Sequence, residues 1–207
     1  MKKLFFFLFL LSLFTTVGFT QVKRTKVKEN KFVNENGETL IFRGLNTSDP
    51  DKLTNDGHWN KEYFSEIKNW GANIVRFPVH PTAWRRRGKE EYIKILDQGV
   101  ALAKEFGLYV IIDWHSIGNL RSQLYQSSIY ETTQKETLEF WRTMAQHYKG
   151  EPTVAFFELF NEPTVYNGQL GTCTWAQWKE LCEEMITIIR AYGCQAIPLV
   201  SRLQLGL

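Results

Sequence analysis

Apolar residues along this chain follow two alternating periods. Five short runs, at residues 40–45, 73–79, 108–114, 154–160 and 196–200, are rich in β-branched and aromatic side chains, with few polar interruptions. Such runs predict parallel strands covered on both faces. Between them lie stripes at helical spacing: Tyr63, Ile67 and Trp70; Ile93, Leu96, Val100 and Ala103; Leu138, Trp141, Ala145 and Tyr148; Trp178, Leu181, Met185, Ile189 and Tyr192. Thr133 with Glu136, and Thr174 with Gln177, have the spacing of capping boxes and mark the expected starts of the last two helices. Gly71, Gly107 and Gly193 follow the first, second and fourth stripes, where a left-handed C-cap is wanted. Upstream, residues 31–33 and 39–42 flank Asn34-Glu35-Asn36-Gly37, a hairpin signal. A small hairpin capping one end of a larger sheet is expected.

Strand–helix alternation at this spacing means right-handed βαβ units. The fold class is α/β, either a doubly wound sheet or a (β/α)8 barrel. No glycine-rich phosphate loop follows any of the runs, which weighs against nucleotide binding. Polar and aromatic residues gather just after the runs: Asn46, His80, Trp114, His115, Asn161 and Glu162. Barrel active sites are built at that face.

Residues 154–163 carry the most pointed chemistry. An apolar run ends in Asn161-Glu162-Pro163. Apolar surroundings would raise the pKa of a carboxyl there, because desolvation disfavours its charged form. A proton donor to a glycosidic oxygen needs that property near neutral pH. Pro163 cannot continue the strand and fixes the turn. Glu158 shares strand parity with Glu162 and should point inward, where a lone carboxylate is costly. Arg43, on the first run, is its expected partner, which makes Glu158 structural.

Arg43-Gly44-Leu45-Asn46, Arg76 within Ile-Val-Arg-Phe-Pro-Val, Asp113-Trp114-His115 and Asn161-Glu162-Pro163 fall on the first four runs in order. This ordered set resembles glycoside hydrolase family 5, the cellulase family, over about residues 30–200. The resemblance implies a TIM barrel, retaining hydrolysis of a β-1,4-linked polysaccharide, and roles position by position. Glu162 matches the general acid/base. Asn161 matches the residue that bonds the sugar 2-hydroxyl. Arg76 matches the cation that keeps the nucleophilic carboxylate ionised, and His115 a histidine lining the sugar site. Read from the residues alone, the alternatives are a structural ion pair for Arg76 and a satisfied buried histidine for His115. His80, Trp84 and Trp114 are further candidates for contact with sugar, against plain loop or packing roles.

The family's nucleophilic glutamate lies near the end of the seventh strand. This sequence reaches about the fifth, so a barrel truncated there is expected. Residues 201–207 read Ser-Arg-Leu-Gln-Leu-Gly-Leu. Family members are expected to continue Ser-Gly-Phe-Asn-Trp-Gly-Tyr-Asp. With codons for Gly-Phe-Asn-Trp-Gly-Tyr-Asp chosen as GGC TTC AAC TGG GGC TAT GAT, one added A in front gives AGG CTT CAA CTG GGG CTA TGA, which encodes Arg-Leu-Gln-Leu-Gly-Leu and a stop. A frameshift is the expected origin of this end. A half-barrel leaves an open edge and bare apolar surface, so self-association and loss of glycosidase activity are expected.

Composition changes the picture little. The chain has 207 residues and 43% hydrophobic positions, enough for one sizeable core. Lys2 and Lys3 precede an apolar run over residues 4–14, and Gly18-Phe19-Thr20 has the form of a cleavage site, so residues 1–20 read as a signal peptide. The run is too short for a membrane span. Residues 21–207 then form the N-terminal part of a secreted catalytic barrel, with no lasting membrane association. Without Lys2 and Lys3 the formal charge falls from +3 to +1, which offers nothing to nucleic acid. Arg85, Arg86 and Arg87 read as a solvated loop. Cys173, Cys182 and Cys194 match no metal spacing and read as small apolar residues, and no metal or cofactor is implied. Two other readings stand beside the hydrolase. One is a non-catalytic sugar-binding remnant that stacks sugars on Trp84, Trp114 and other aromatics. The other is an aldolase-like barrel, disfavoured because no run ends in the lysine a Schiff base needs.

Overall fold

The computed structural model describes residues 22–204. The expected signal peptide and residues 205–207 lie outside them. Strands β1 (Lys26–Lys28), β2 (Lys31–Val33) and β3 (Thr39–Leu40) form an antiparallel sheet of their own. Then come β4 (Gly44–Asn46), α1 (Pro50–Asn55), α2 (Lys61–Asn69), β5 (Ile74–Val79), α3 (Pro81–Arg87) and α4 (Lys89–Glu105). They are followed by β6 (Tyr109–Trp114), the short β7 (Ile117–Asn119) and β8 (Leu124–Tyr125), and α5 (Gln134–Tyr148). The last elements are β9 (Val154–Glu158), β10 (Glu162–Pro163), α6 (Trp175–Ala191) and β11 (Ile197–Leu199).

Strands β4, β5, β6, β9 and β11 pair in chain order as one parallel five-stranded sheet. That is a partial (β/α) barrel. Alternation along each strand sorts side chains between two cores. Val75, Phe77, Val79, Val110, Ile112 and Phe157 are fully buried toward the helices. Ile74, Tyr109, Ala155 and Phe156 join Phe32, Phe42 and Val22 in a second cluster at the hairpin end. Phe32, Phe42, Tyr109 and Phe156 meet there edge to face, with ring centroids 5.1–5.6 Å apart. The hairpin therefore plugs the bottom of the sheet, as its turn signal foretold, with Gly37 at φ 82°.

Helix caps fall where the sequence places them. Thr174 and Gln177 make a complete capping box, and Thr133 accepts from Glu136 N. Gly71, Gly107 and Gly193 all have positive φ.

Three expectations need correction. The run 40–45 is not one strand: residues 41–43 leave the ladder because Asn73 satisfies their backbone instead. Its Nδ2 donates to Ile41 O at 2.7 Å, and its Oδ1 accepts from Arg43 N at 2.8 Å. Gly44 then enters the sheet so closely that a Cβ would lie 2.1 Å from Ile74 O. The stripe Tyr63–Ile67–Trp70 is shifted, since Phe64 and Ile67 are the buried pair. Trp70 follows the end of α2 and is 70% exposed, its Nε1 donating to Glu66. The arginine triplet is no loop. It lies in α3, where Arg86 and Arg87 both hold the buried Asp51 and Arg85 reaches Glu136 at 2.6 Å. The three cysteines are unpaired and buried, in keeping with small apolar roles.

Candidate active site

Three adjacent parallel strands, β5, β6 and β9, each turn one charged residue to the face opposite the helices. These are Arg76, Asp113 and Glu158, and Asp113 lies in register with Glu158. Arg76 Nε donates to Glu158 Oε2 at 2.6 Å. Its Nη2 lies 2.9 Å from Asp113 Oδ2 and donates to Asn161 Oδ1 at 2.8 Å. Burial works against the Arg76 charge, but Asp113 and Glu158 outweigh it and raise its pKa. Asp113 is fully buried, and that burial lifts its carboxyl to about 6 against the pull of His115 and Arg76. A guanidinium only donates, so Arg76 fixes the orientation of the Asn161 amide. The Asn161 Nδ2 is left as a buried donor with no partner among the described residues.

Glu162 lies beside this cluster, near enough for its charge to act on Arg76. Its N–H donates to Ser116 O at 3.0 Å, and Asn161 N donates to Trp114 O at 3.2 Å, which ties this turn to the end of β6. A cavity of about 270 Å³ opens on Glu162 between Ile117, Tyr125, Gln126, Tyr166 and Gln169. The apolar enclosure expected around Glu162 is not built by the described residues, for Glu162 is exposed.

The expected Arg43–Glu158 pair does not form. Arg43 precedes β4 on the exposed edge, and Glu158 takes Arg76 instead. Trp114 and Trp84 are also corrected. Trp114 is 0% exposed, stacked on Phe140 at 4.2 Å, with Nε1 donating to Thr137 Oγ1. Trp84 is buried between Tyr92 and Phe140. Both face the helix layer, where no sugar ring can lie.

The family model for cellulase, glycosyl hydrolase family 5, matches residues 33–202. The chain belongs to glycosyl hydrolase family 5. A β-glucanase from Saccharophagus degradans, whose structure is also known with cellotetraose, is 44% identical with a TM-score of 0.87. The match covers 90% of this chain and 56% of that one. Endoglucanase A of Butyrivibrio fibrisolvens is 26% identical, across 84% of this chain and 38% of its own length. An endoglucanase of Paenibacillus polymyxa is 27% identical, across 79% and 48%. This family 5 chain thus spans about half the length, or less, of these relatives.

Of the residues the family 5 resemblance pointed to, Arg76, His115, Asn161 and Glu162 converge at one end of the sheet, and the further candidate His80 joins them. His115 Nδ1 lies 2.6 Å from Asp113 Oδ2 and His80 Nδ1 lies 2.9 Å from Asp49 Oδ2. Sequence reasoning missed the part played by Asp113, though it was readable: two residues before His115, it shares that side of the strand, whereas Trp114 takes the other. Asp49 also left a signal, as a capping aspartate ahead of Pro50. Tyr130, stacked on His80 at 5.7 Å, arrives on a short 3-10 turn and left none.

Proposed function

We propose that this chain supplies the acid/base half of the active site of a retaining hydrolase acting on a β-1,4-linked glucan. The observation that carries the reading is the Arg76 cluster at the ends of three adjacent parallel strands, with Glu162 at its rim. Asp113 and Glu158 are bound to Arg76, so the exposed Glu162 is the carboxyl at the mouth with freedom to exchange a proton. The Asn161 Nδ2 donor beside it suits a hydroxyl on the ring being cleaved. A retaining pair needs a second carboxyl roughly 5–5.5 Å from the first. In this reading it comes from strands that the longer relatives possess, and Arg76 helps keep it ionised. The sugar-binding-remnant reading loses its two named stacking residues, because Trp84 and Trp114 are buried.

Joining the chain to the remaining strand–helix units of the Saccharophagus β-glucanase tests this. The chain alone should give no measurable turnover of β-glucan. The joined form should turn it over, and Glu162→Gln should lower the rate by about 100-fold or more. Full activity in that variant would dismiss Glu162 as the acid/base.

Export belongs to the same proposal and rests on the pattern of residues 1–20. Among the described residues no helix is long and apolar enough to cross a membrane. Mass spectrometry of chain recovered from the medium should find Gln21 at its start. Retention in the cell with Met1 intact would refute export.

A further inference from the structure

His80 and His115 stand edge to face with ring centroids 4.7 Å apart, and a buried aspartate holds each from behind. Asp49 is 6% exposed, and its bonds are directed inward. Its Oδ1 accepts from Asp51 N and from the Tyr92 hydroxyl, each at 2.7 Å. Its Oδ2 accepts from His80 N at 2.8 Å and meets His80 Nδ1 at 2.9 Å. Burial pushes this carboxyl up, but the bonds from His80 and Tyr92 outweigh burial and hold it below its ordinary value. Asp49 is thus an ionised acceptor at neutral pH. Asp113 does for His115 what Asp49 does for His80, at 2.6 Å.

An ionised carboxylate can only accept a hydrogen bond. Each Nδ1 must then carry the hydrogen, which leaves Nε2 of each neutral ring as a bare acceptor. Neither Nε2 has a hydrogen-bond partner among the described residues, and the side chains keep 21% and 19% exposure. Tyr130 closes the far side, stacked on His80 and 6.1 Å from the His115 ring. The other acceptors at the mouth are carboxylate oxygens, the exposed Glu162 among them. Arg76 and Asn161 Nδ2 only donate, and Arg76 holds the Asp113 and Glu158 carboxylates. A sugar hydroxyl both donates and accepts, so a site for polyols needs both kinds of partner.

We propose that Asp49 is a positioning residue that locks His80 as its Nδ1–H tautomer, so that His80 and His115 offer two adjacent Nε2 acceptors to neighbouring hydroxyls of one glucan sugar ring. The tautomer half stands on geometry alone. The ligand half rests on the proposed glucan hydrolase reading.

Two-bond proton–nitrogen spectra of the full chain, labelled with 15N-histidine, read both halves. The four histidines are assigned by single substitutions. In the unliganded chain both His80 and His115 should show a protonated Nδ1 and an unprotonated Nε2. Asp49→Ala should release His80 to the other tautomer or a mixture, and leave His115 unchanged. Asp49→Asn keeps one acceptor oxygen, and with that oxygen on His80 N and Nδ1 it should restore the wild-type pattern. A purely structural aspartate would leave the His80 tautomer untouched. If Asp49→Ala fails to fold, the wild-type spectrum still decides: an Nε2–H tautomer at His80 there overturns the positioning role. Titration with cellotetraose should shift both Nε2 resonances together. Binding that shifts His115 alone overturns the paired-acceptor site. Correct tautomers with no response to cellotetraose at either ring count against the glucan reading itself, and remove the ligand half while the role of Asp49 stands.

Discussion

Arg76 of β5 reaches past β6 to Glu158 of β9, with Nε and Oε2 2.6 Å apart. On its way the same guanidinium holds Asp113, so one cation bridges two inward-facing carboxylates on neighbouring strands. Both partners are largely out of water, with side chains 0% and 17% exposed. The pairing fixes the positions of Asn161 and, through Asp113, of His115. Strand order at this end of the sheet thus becomes a single hydrogen-bonded array.

Removing that cation should be expensive. Arg76→Ala leaves Glu158 without its cation and Asp113 with His115 alone, and loss of one partner from a buried pair costs about 3–5 kcal/mol. Arg76→Lys keeps the charge but loses the planar fork, so its loss should be smaller. Urea unfolding of the two variants should rank them in that order. Equal stability of Arg76→Ala and wild type would mean the array is not part of the folded state in solution.

Asp113 should titrate far from its ordinary value of 3.8, near 6. Between those values the folded chain holds the proton and the unfolded chain does not. The contribution of Asp113 therefore makes stability fall as pH rises from about 3.8 to about 6, and level off above. Carbon NMR of the carboxyl gives the midpoint directly. Asp113→Asn should remove this slope from the stability profile. A carboxyl midpoint near 4 would show that burial does not govern this group.

Trp114 should behave as core. Trp114→Ala should cost about 3–5 kcal/mol. Trp114→Phe keeps the stack on Phe140 and loses the Nε1 bond, but Thr137 Oγ1 keeps Thr132 Oγ1 at 3.3 Å, so its cost should be smaller, about 0.5–1.5 kcal/mol. Calorimetry compares the two, and a cellotetraose titration of Trp114→Phe should show affinity within about twofold of wild type. Intact stability with weakened sugar binding would return this ring to the cleft.

Gly99 lies inside α4, where alanine is ordinarily favoured by about 1 kcal/mol. Here a Cβ would come 2.2 Å from Trp59 Cζ2 and 3.0 Å from Phe77. Trp59 has little freedom to withdraw, since its Nε1 donates to Ile95 O at 2.9 Å. Gly99→Ala should therefore destabilise by about 1–3 kcal/mol, against its helix propensity. A raised denaturation midpoint would show that the indole yields.

Much of the architecture is legible before any coordinates. The apolar runs mark four of the five sheet strands, and the first run half-fails only because Asn73 takes over the backbone of residues 41–43. Helix starts and stops are local events, and Thr174, Gly107 and Gly193 carry their own capping chemistry. Strand parity, a local property, would also have placed Asp113 inside and Trp114 outside.

The sequence by itself determined the alternation of strands and helices, and so that Arg76, His115, Asn161 and Glu162 collect at one end of a parallel sheet. Those are consequences of period and turn chemistry, which act over a few residues. Only the tertiary structure decided who pairs with whom: Arg76 rather than Arg43 with Glu158, Asp49 behind His80, and Tyr130 against both histidines. Such partners lie tens of residues apart in the chain, and their choice depends on which side chains the twist and register of the packed sheet bring within hydrogen-bonding reach.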